Sequence, residues 1–251
     1  MQKPHLLLIH GFPHDATLWE HQINALSDVA QLIAPDLRGF GSNAAEPGPD
    51  LRIEDYATDL LKLLNDRGIE KVIVAGLSMG GYVALSFLEK YPDRVRALIL
   101  CNTRAEADDE AGRKKRYEVV EKAMNGGVPV IARELLPKML AERTKNEQPE
   151  EVRKLEEMML RQPPEAIAAA SKAMATRKDQ REFLRSIKIP VLIITGDQDP
   201  IMPLPTSELM HTSIIGSEMN VLKDAAHLSN IDRPAEFNAA VRDFLQKLPA
   251  H

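Results

Sequence analysis

Six short runs rich in Val, Ile and Leu, amphipathic stretches between them, and turn residues gathered where the runs end predict a doubly wound α/β fold for this 251-residue sequence. The runs are residues 5–9, 31–34, 71–75, 95–101, 191–195 and 219–222. None alternates polar with apolar, which is the pattern of strands buried on both faces of a parallel sheet. Between them, apolar residues recur at three- and four-residue spacing over 17–26, 53–64, 82–90, 204–211 and 235–248, and this predicts helices. Parallel sheets of this kind carry ligands beyond the carboxyl ends of their strands. Five of the strand exits hold unusual residues: His10-Gly11-Phe12-Pro13, Pro35-Asp36-Leu37-Arg38-Gly39, Gly76-Leu77-Ser78-Met79-Gly80-Gly81, Gly196-Asp197-Gln198-Asp199-Pro200 and Ala225-Ala226-His227.

At the remaining exit, Asn102-Thr103-Arg104, the alternation of strand and helix stops and does not resume until about Ser186. The intervening stretch reads as helices at 108–124, 129–141, 149–161, 164–176 and 180–186, started by Pro or broken at Gly126-Gly127. An all-helical block between two strands of one sheet is most simply an insertion. The expected organisation is therefore a core of residues 1–102 and 187–251, with 103–186 as a helical cap over the strand ends.

Composition excludes several classes. A net charge of −5, from 32 basic and 37 acidic residues, argues against nucleic acid as a partner. No apolar run approaches the ~20 residues that span a bilayer, so no membrane segment is expected. The apolar stretch Leu6–Ile9 is too short for a signal-peptide core, and a cytoplasmic location follows as an expectation. The single cysteine, Cys101, allows neither a disulfide framework nor a Cys-based zinc site, and at a strand end it reads as a small buried hydrophobe. Residues 76–81 lack the Lys-Ser/Thr of a phosphate loop, and there is no dinucleotide fingerprint or His-rich metal spacing. No cofactor and no metal are implied.

The sharpest signal is Gly76-Leu77-Ser78-Met79-Gly80, a G-x-S-x-G between a predicted strand and a predicted helix. Turning from strand to helix this abruptly leaves no room for a Cβ two residues either side of the serine, and it holds the hydroxyl clear of the backbone. Ser78 is the candidate nucleophile. It needs a base, and the base needs an orienting carboxylate, in the chain order Ser, acid, His. Three histidines follow it: His211, His227 and His251. His211 ends a helical pattern and His251 is terminal, whereas His227 lies in the loop after the last strand and is the candidate base. Asp197 and Asp199 both follow the 191–195 strand. Asp199 is favoured because the turn at Gly196 has completed by then, while Asp197 suits a turn cap. The other acid position, after strand 95–101, holds Asn102, which cannot carry a negative charge. An oxyanion needs two amide donors. The candidates are the backbone N–H groups of Met79, directly after the serine, and of Phe12, beyond Gly11.

These residues resemble the α/β-hydrolase superfamily over the whole chain: His10-Gly11-Phe12, Pro35–Ser42, the Gly-Leu-Ser-Met-Gly-Gly elbow, Gly196-Asp197-Gln198-Asp199 and Ala226-His227. The resemblance implies Ser78 as nucleophile, Asp199 as acid, His227 as base, and Phe12 and Met79 as the oxyanion hole. It makes Pro35–Ser42 a structural loop. Size, elbow and helical block are similar to 3-oxoadipate enol-lactonases and related small carboxylesterases, which implies a small ester or lactone as substrate. Ser78 stands where the epoxide hydrolase and haloalkane dehalogenase branches use Asp. Two other uses of the same triad are a ligand sensor and a C–C bond hydrolase or perhydrolase. The family usually has two strands before the His-Gly strand. Here that strand begins by His5, so about six strands are expected, all parallel and without the antiparallel start. With aromatics at 4%, a pocket under the cap would rely on Met, Leu and Ile and suit a small apolar acyl group.

Overall fold

The computed structural model describes residues 3–43, 46–48 and 50–249. Its six strands are β1 (His5–Ile9), β2 (Gln31–Ile33), β3 (Val72–Leu77), β4 (Val95–Cys101), β5 (Val191–Gly196) and β6 (Glu218–Leu222). They form one sheet in the order β2-β1-β3-β4-β5-β6. Every neighbouring pair is parallel. β1 and β4 match the runs read from sequence residue for residue. β3 and β5 extend to Leu77 and Gly196, because pairing with β4 and β6 continues through those residues.

The period-2 geometry of a strand sorts the core into two layers. Leu7, Ile9, Val74 and Leu98 pack with Tyr56, Leu60 and Leu64 of α2 (Ile53–Asp66) and Val83 and Phe87 of α3 (Met79–Lys90). Leu6, Leu8, Ile73 and Ile99 pack with Leu26 of α1 (Glu20–Leu26) and with Phe237, Val241 and Phe244 of α12 (Pro234–Lys247). The expectation of strands buried on both faces holds for β3 and β5 throughout and for most of β1 and β4. It fails at β2, which is only partly buried, and at β6, which is largely exposed. They are the sheet's two edges, where neighbours cover less of the strand, and an apolar run in the sequence does not reveal edge position.

Between β4 and β5 the chain forms α4 (Glu110–Gly126), α5 (Val128–Met139), α6 (Glu142–Glu147), α7 (Pro149–Leu160), α8 (Pro164–Ala175) and α9 (Arg181–Leu184). α4 packs on α8, and α5 packs on α4 and α7. The helix expected over 129–141 stops at Met139, and α6 begins separately three residues later. Near the carboxyl end of the chain, α10 (Leu204–Ser213) precedes β6, and the short α11 (Ser229–Asp232) forms inside what reads in sequence as a loop. The helix expected from residue 17 begins as a 3-10 turn, Ala16–Trp19, capped by the Asp15 carboxylate. Of the helical block's methionines, Met139, Met158, Met159 and Met174 are packed inside, whereas Met124 and Tyr117 are exposed. Within the basic run 113–116, Arg116 Nε lies 3.0 Å from the buried Asp108 carboxylate. Arg104 also faces Asp108, at 3.9 Å. Among the described residues, no helix is long and apolar enough to cross a membrane.

Candidate active site

The turn between β3 and α3 has the strain its sequence implies. Ser78 sits at φ 55° and ψ −115°, a left-handed conformation that a side-chain-bearing residue rarely adopts. The steric need for glycine on either side is explicit. A Cβ on Gly76 would strike the Gly80 carbonyl, and one on Gly80 would strike the Ile9 carbonyl. The turn is pinned by Ser78 N–H to Cys101 O at 2.9 Å and by Thr103 Oγ1, which donates to Ser78 O at 2.8 Å. Ser78 is 8% exposed at the start of α3.

The structure brings three candidates from distant parts of the chain into one line. His227 Nε2 lies 2.9 Å from Ser78 Oγ, and His227 Nδ1 lies 2.9 Å from Asp199 Oδ2. A carboxylate only accepts, so Nδ1 carries the proton and Nε2 is left to accept from the serine hydroxyl. His227 is 2% exposed. Asp199 Oδ1 accepts from the backbone N–H groups of Ile201 and Met202 at 2.8 and 2.9 Å. Burial pushes the Asp199 carboxyl up, but His227, the Met202 amide and Asn102 more than offset this and hold it below the usual carboxylate value. Asp197 plays the other part open to it: exposed at the turn, its Oδ1 accepts from Ala225 N at 3.4 Å. His211 pairs instead with Ser217 Oγ at 2.9 Å, and His251 lies outside the described residues.

Phe12 and Met79 are both buried beside this line. Met79 is the first residue of α3, so its N–H has no acceptor within the helix. Gly11 brings the first loop close: a Cβ there would come within 3.3 Å of Ser78 Cβ. The loop is held by His10, whose Nε2 accepts from Leu37 N at 3.0 Å and whose Nδ1 donates to Gly11 O at 2.9 Å. In the 35–42 loop, Asp36 accepts from Ala16 N, Ser42 N and Ser42 Oγ, each at 2.7 Å, which is a structural use of that carboxylate.

Two residues near the line carry no sequence signal for their parts. Asn102, at φ 43°, donates from Nδ2 to Asp199 Oδ2 at 2.9 Å and to Ala226 O at 3.0 Å, while its Oδ1 accepts from Ser229 Oγ at 2.5 Å. Its failure to carry charge does not remove it from the site, because it supports the charge on Asp199. His14 is fully buried, and neither of its ring nitrogens has a hydrogen-bond partner. Burial is the largest cause of its depressed pKa, about 3, and the charges of His10 and His227 act in the same direction. A cavity of 720 Å³ lies elsewhere, between α4, α8, Gly39 and residues 46–48, with Met124 on its wall.

A hydroxyl beside a bare imidazole nitrogen, with the imidazole anchored by a buried carboxylate, can lose its proton as it attacks an electrophilic carbon. A six-stranded parallel sheet with this strand–serine–helix turn defines a class of protein, and the sequence agrees. The chain belongs to the alpha/beta hydrolase fold family, whose profile matches residues 4–234. Among individual relatives it is similar to 3-oxoadipate enol-lactonase 2 of Acinetobacter baylyi, with 29% identity covering 98% of this chain and 90% of that protein. Among solved structures it is similar to a malate-bound thermophilic esterase from Thermogutta terrifontis, with TM-score 0.96 and 39% identity over 99% of this chain and 92% of that one. It is also similar to the enol-lactonase from Burkholderia xenovorans, with TM-score 0.92 and 27% identity over 98% and 93% of the two chains.

Proposed function

We propose that this protein is a serine hydrolase that cleaves a small carboxylic ester or lactone through an acyl-enzyme on Ser78. The observation that carries the reading is the pair of 2.9 Å hydrogen bonds running Ser78–His227–Asp199. Ser78 Oγ attacks the carbonyl carbon as its proton passes to His227 Nε2, and the oxygen charge that develops is met by the N–H groups of Phe12 and Met79. Collapse of the tetrahedral species breaks the bond to the leaving oxygen, which takes the proton from His227. Water then attacks the acyl-enzyme, gives a proton to His227 and releases the acid as Ser78 Oγ recovers that proton. Asp199 stays ionised throughout, holding the imidazole and stabilising its charged form. The names of the relatives, esterase and enol-lactonase, support the substrate class.

Residues 103–186 act in this reading as a cap on the core of 1–102 and 187–251. In support, the end of α5 reaches the base's own loop, where Leu228 N–H donates to Met139 O at 2.8 Å. The test is Ser78→Ala assayed on p-nitrophenyl esters of graded acyl length alongside an enol-lactone. The expected result is a loss of at least ~10³-fold with the fold intact, and fastest turnover of short apolar acyl groups. Retention of most of the activity would sink the assignment.

A further inference from the structure

One buried carboxylate has no part in that chemistry. Asp232, the last residue of α11, is 5% exposed. Both of its oxygens lie 3.1 Å from the N–H of Ala141, and Oδ2 accepts from the N–H of Ala226 at 2.7 Å. The Thr144 side chain lies beside it and favours its charged form. Ala141 lies at the corner between α5 and α6 and Thr144 in the first turn of α6, whereas Ala226 immediately precedes His227. The residue after His227 is tied to the same corner, through Leu228 N–H to Met139 O at 2.8 Å. The Ala226 carbonyl is held from the other side by Asn102 Nδ2 at 3.0 Å.

Two backbone N–H groups converge on Asp232 beside the Thr144 hydroxyl, so the position demands a group that accepts. Burial pushes its carboxyl above the usual value, and Thr144 with the two backbone N–H groups opposes that rise without reversing it. Placing a carboxylate there is costly, and an apolar side chain would leave two backbone N–H groups unpaired. An amide would turn its NH2 against one of those N–H groups.

We infer that Asp232 is a positioning residue, whose carboxylate locks the α5–α6 corner to the loop bearing His227 and so sets the imidazole against Ser78. The inference rests on the serine-hydrolase reading. In consequence the α5–α6 corner cannot lift as a free lid: moving it disturbs the base. A shift of His227 by a fraction of an ångström lengthens both of its hydrogen bonds, and misplacement by about 1 Å costs on the order of 10²-fold in rate.

The experiment measures the rate at which a small fluorophosphonate labels Ser78, followed by intact mass. The Ser78 Oγ–phosphorus bond forms, fluoride leaves, and the serine proton passes to His227, so the rate reports the base directly and needs no knowledge of the substrate. Wild type, Ser78→Ala, Asp232→Asn and Thr144→Val are compared, with thermal unfolding of each. Expected are labelling of wild type but not Ser78→Ala, and a rate about 30- to 100-fold lower in folded Asp232→Asn. Thr144→Val removes the hydroxyl beside Asp232 while keeping side-chain shape, and about a 3- to 10-fold drop is expected from it. If Asp232→Asn does not fold, Thr144→Val decides. Variants that melt earlier yet label at the wild-type rate overturn the inference alone, because their role is then only structural. A wild type that is not labelled on Ser78 overturns the hydrolase reading and this inference with it.

Discussion

Lowering the pH from 7 to 5 removes about 2 kcal/mol of stability through His14 alone, with no loss of any hydrogen bond. His14 is fully buried, and its pKa is held at about 3, first by burial and then by the charges of His10 and His227. In the unfolded chain the imidazole titrates near ~6.5. Between these two values the unfolded state binds a proton that the folded state refuses. The His14 contribution is therefore fully present above about pH 6.5 and is lost as the pH falls toward 3, at ~1.4 kcal/mol per unit. From 6.5 to 5 this amounts to about 2 kcal/mol, or roughly 4–8 °C in Tm for a chain of this size. His10, also lowered by burial, adds to the loss with the same sign. Asp15 and Asp108, buried yet held at about 2 by their arginine and other hydrogen-bond partners, keep their contribution over this window and lose it only below about pH 4. Urea unfolding at pH 7, 6 and 5 of wild type and His14→Phe isolates the effect, because the other titrating groups cancel in the difference. The variant also replaces two unpartnered nitrogens with apolar ring edge, so little stability is lost at pH 7. The gap between the two proteins should shift by about 2 kcal/mol in favour of the variant by pH 5. Parallel pH profiles would refute the reasoning.

Asn102→Leu removes a hydrogen bond to an ionised carboxylate and strands the Ala226 carbonyl, so urea midpoints should show a loss of roughly 3–5 kcal/mol. Ester hydrolysis by the folded variant should fall at least ~10-fold, because the carboxylate that orients His227 loses one of its supports. Gly80→Ala sets a Cβ against the Ile9 and His10 carbonyls and should yield no folded protein by circular dichroism. Gly112→Ala on α4 crowds Asp108 Cβ at 3.0 Å and Asp109 Oδ1 at 3.1 Å, which offsets the ~1 kcal/mol of helix propensity gained, so urea unfolding should show a folded protein with no net gain in stability.

Much of the architecture is legible in sequence because it rests on local physics. β1 and β4 are mainly apolar runs, with His5 and Arg96 the exceptions, and runs without alternation mark buried strands. Ser78 is legible because a strand-to-helix turn that tight requires Gly76 and Gly80, which leaves a spaced signature. His227 and Asp199 are legible by place, each just beyond a strand end. Edge position is not: β2 and β6 read as buried strands because an apolar run records composition, whereas exposure depends on which strands flank it. The helical block was legible as helices, but the break at Leu140 and Ala141 was not, since its N–H group is satisfied by Asp232, 91 positions further on.

The supports of the site were illegible for the same reason. Asn102 and Asp199 are 97 positions apart, and nothing near Asn102 marks its side chain as a donor rather than a failed acid. His14 is one imidazole among seven histidines until the fold closes over it. Sterics and hydrophobic spacing act over a few residues, and so write the strands, the strained serine and the order of its candidate partners into the sequence. Which polar side chains meet, which are buried and how far their pKa values move emerge when the chain folds. Those properties depend on distance and solvent exclusion between segments that the chain keeps far apart.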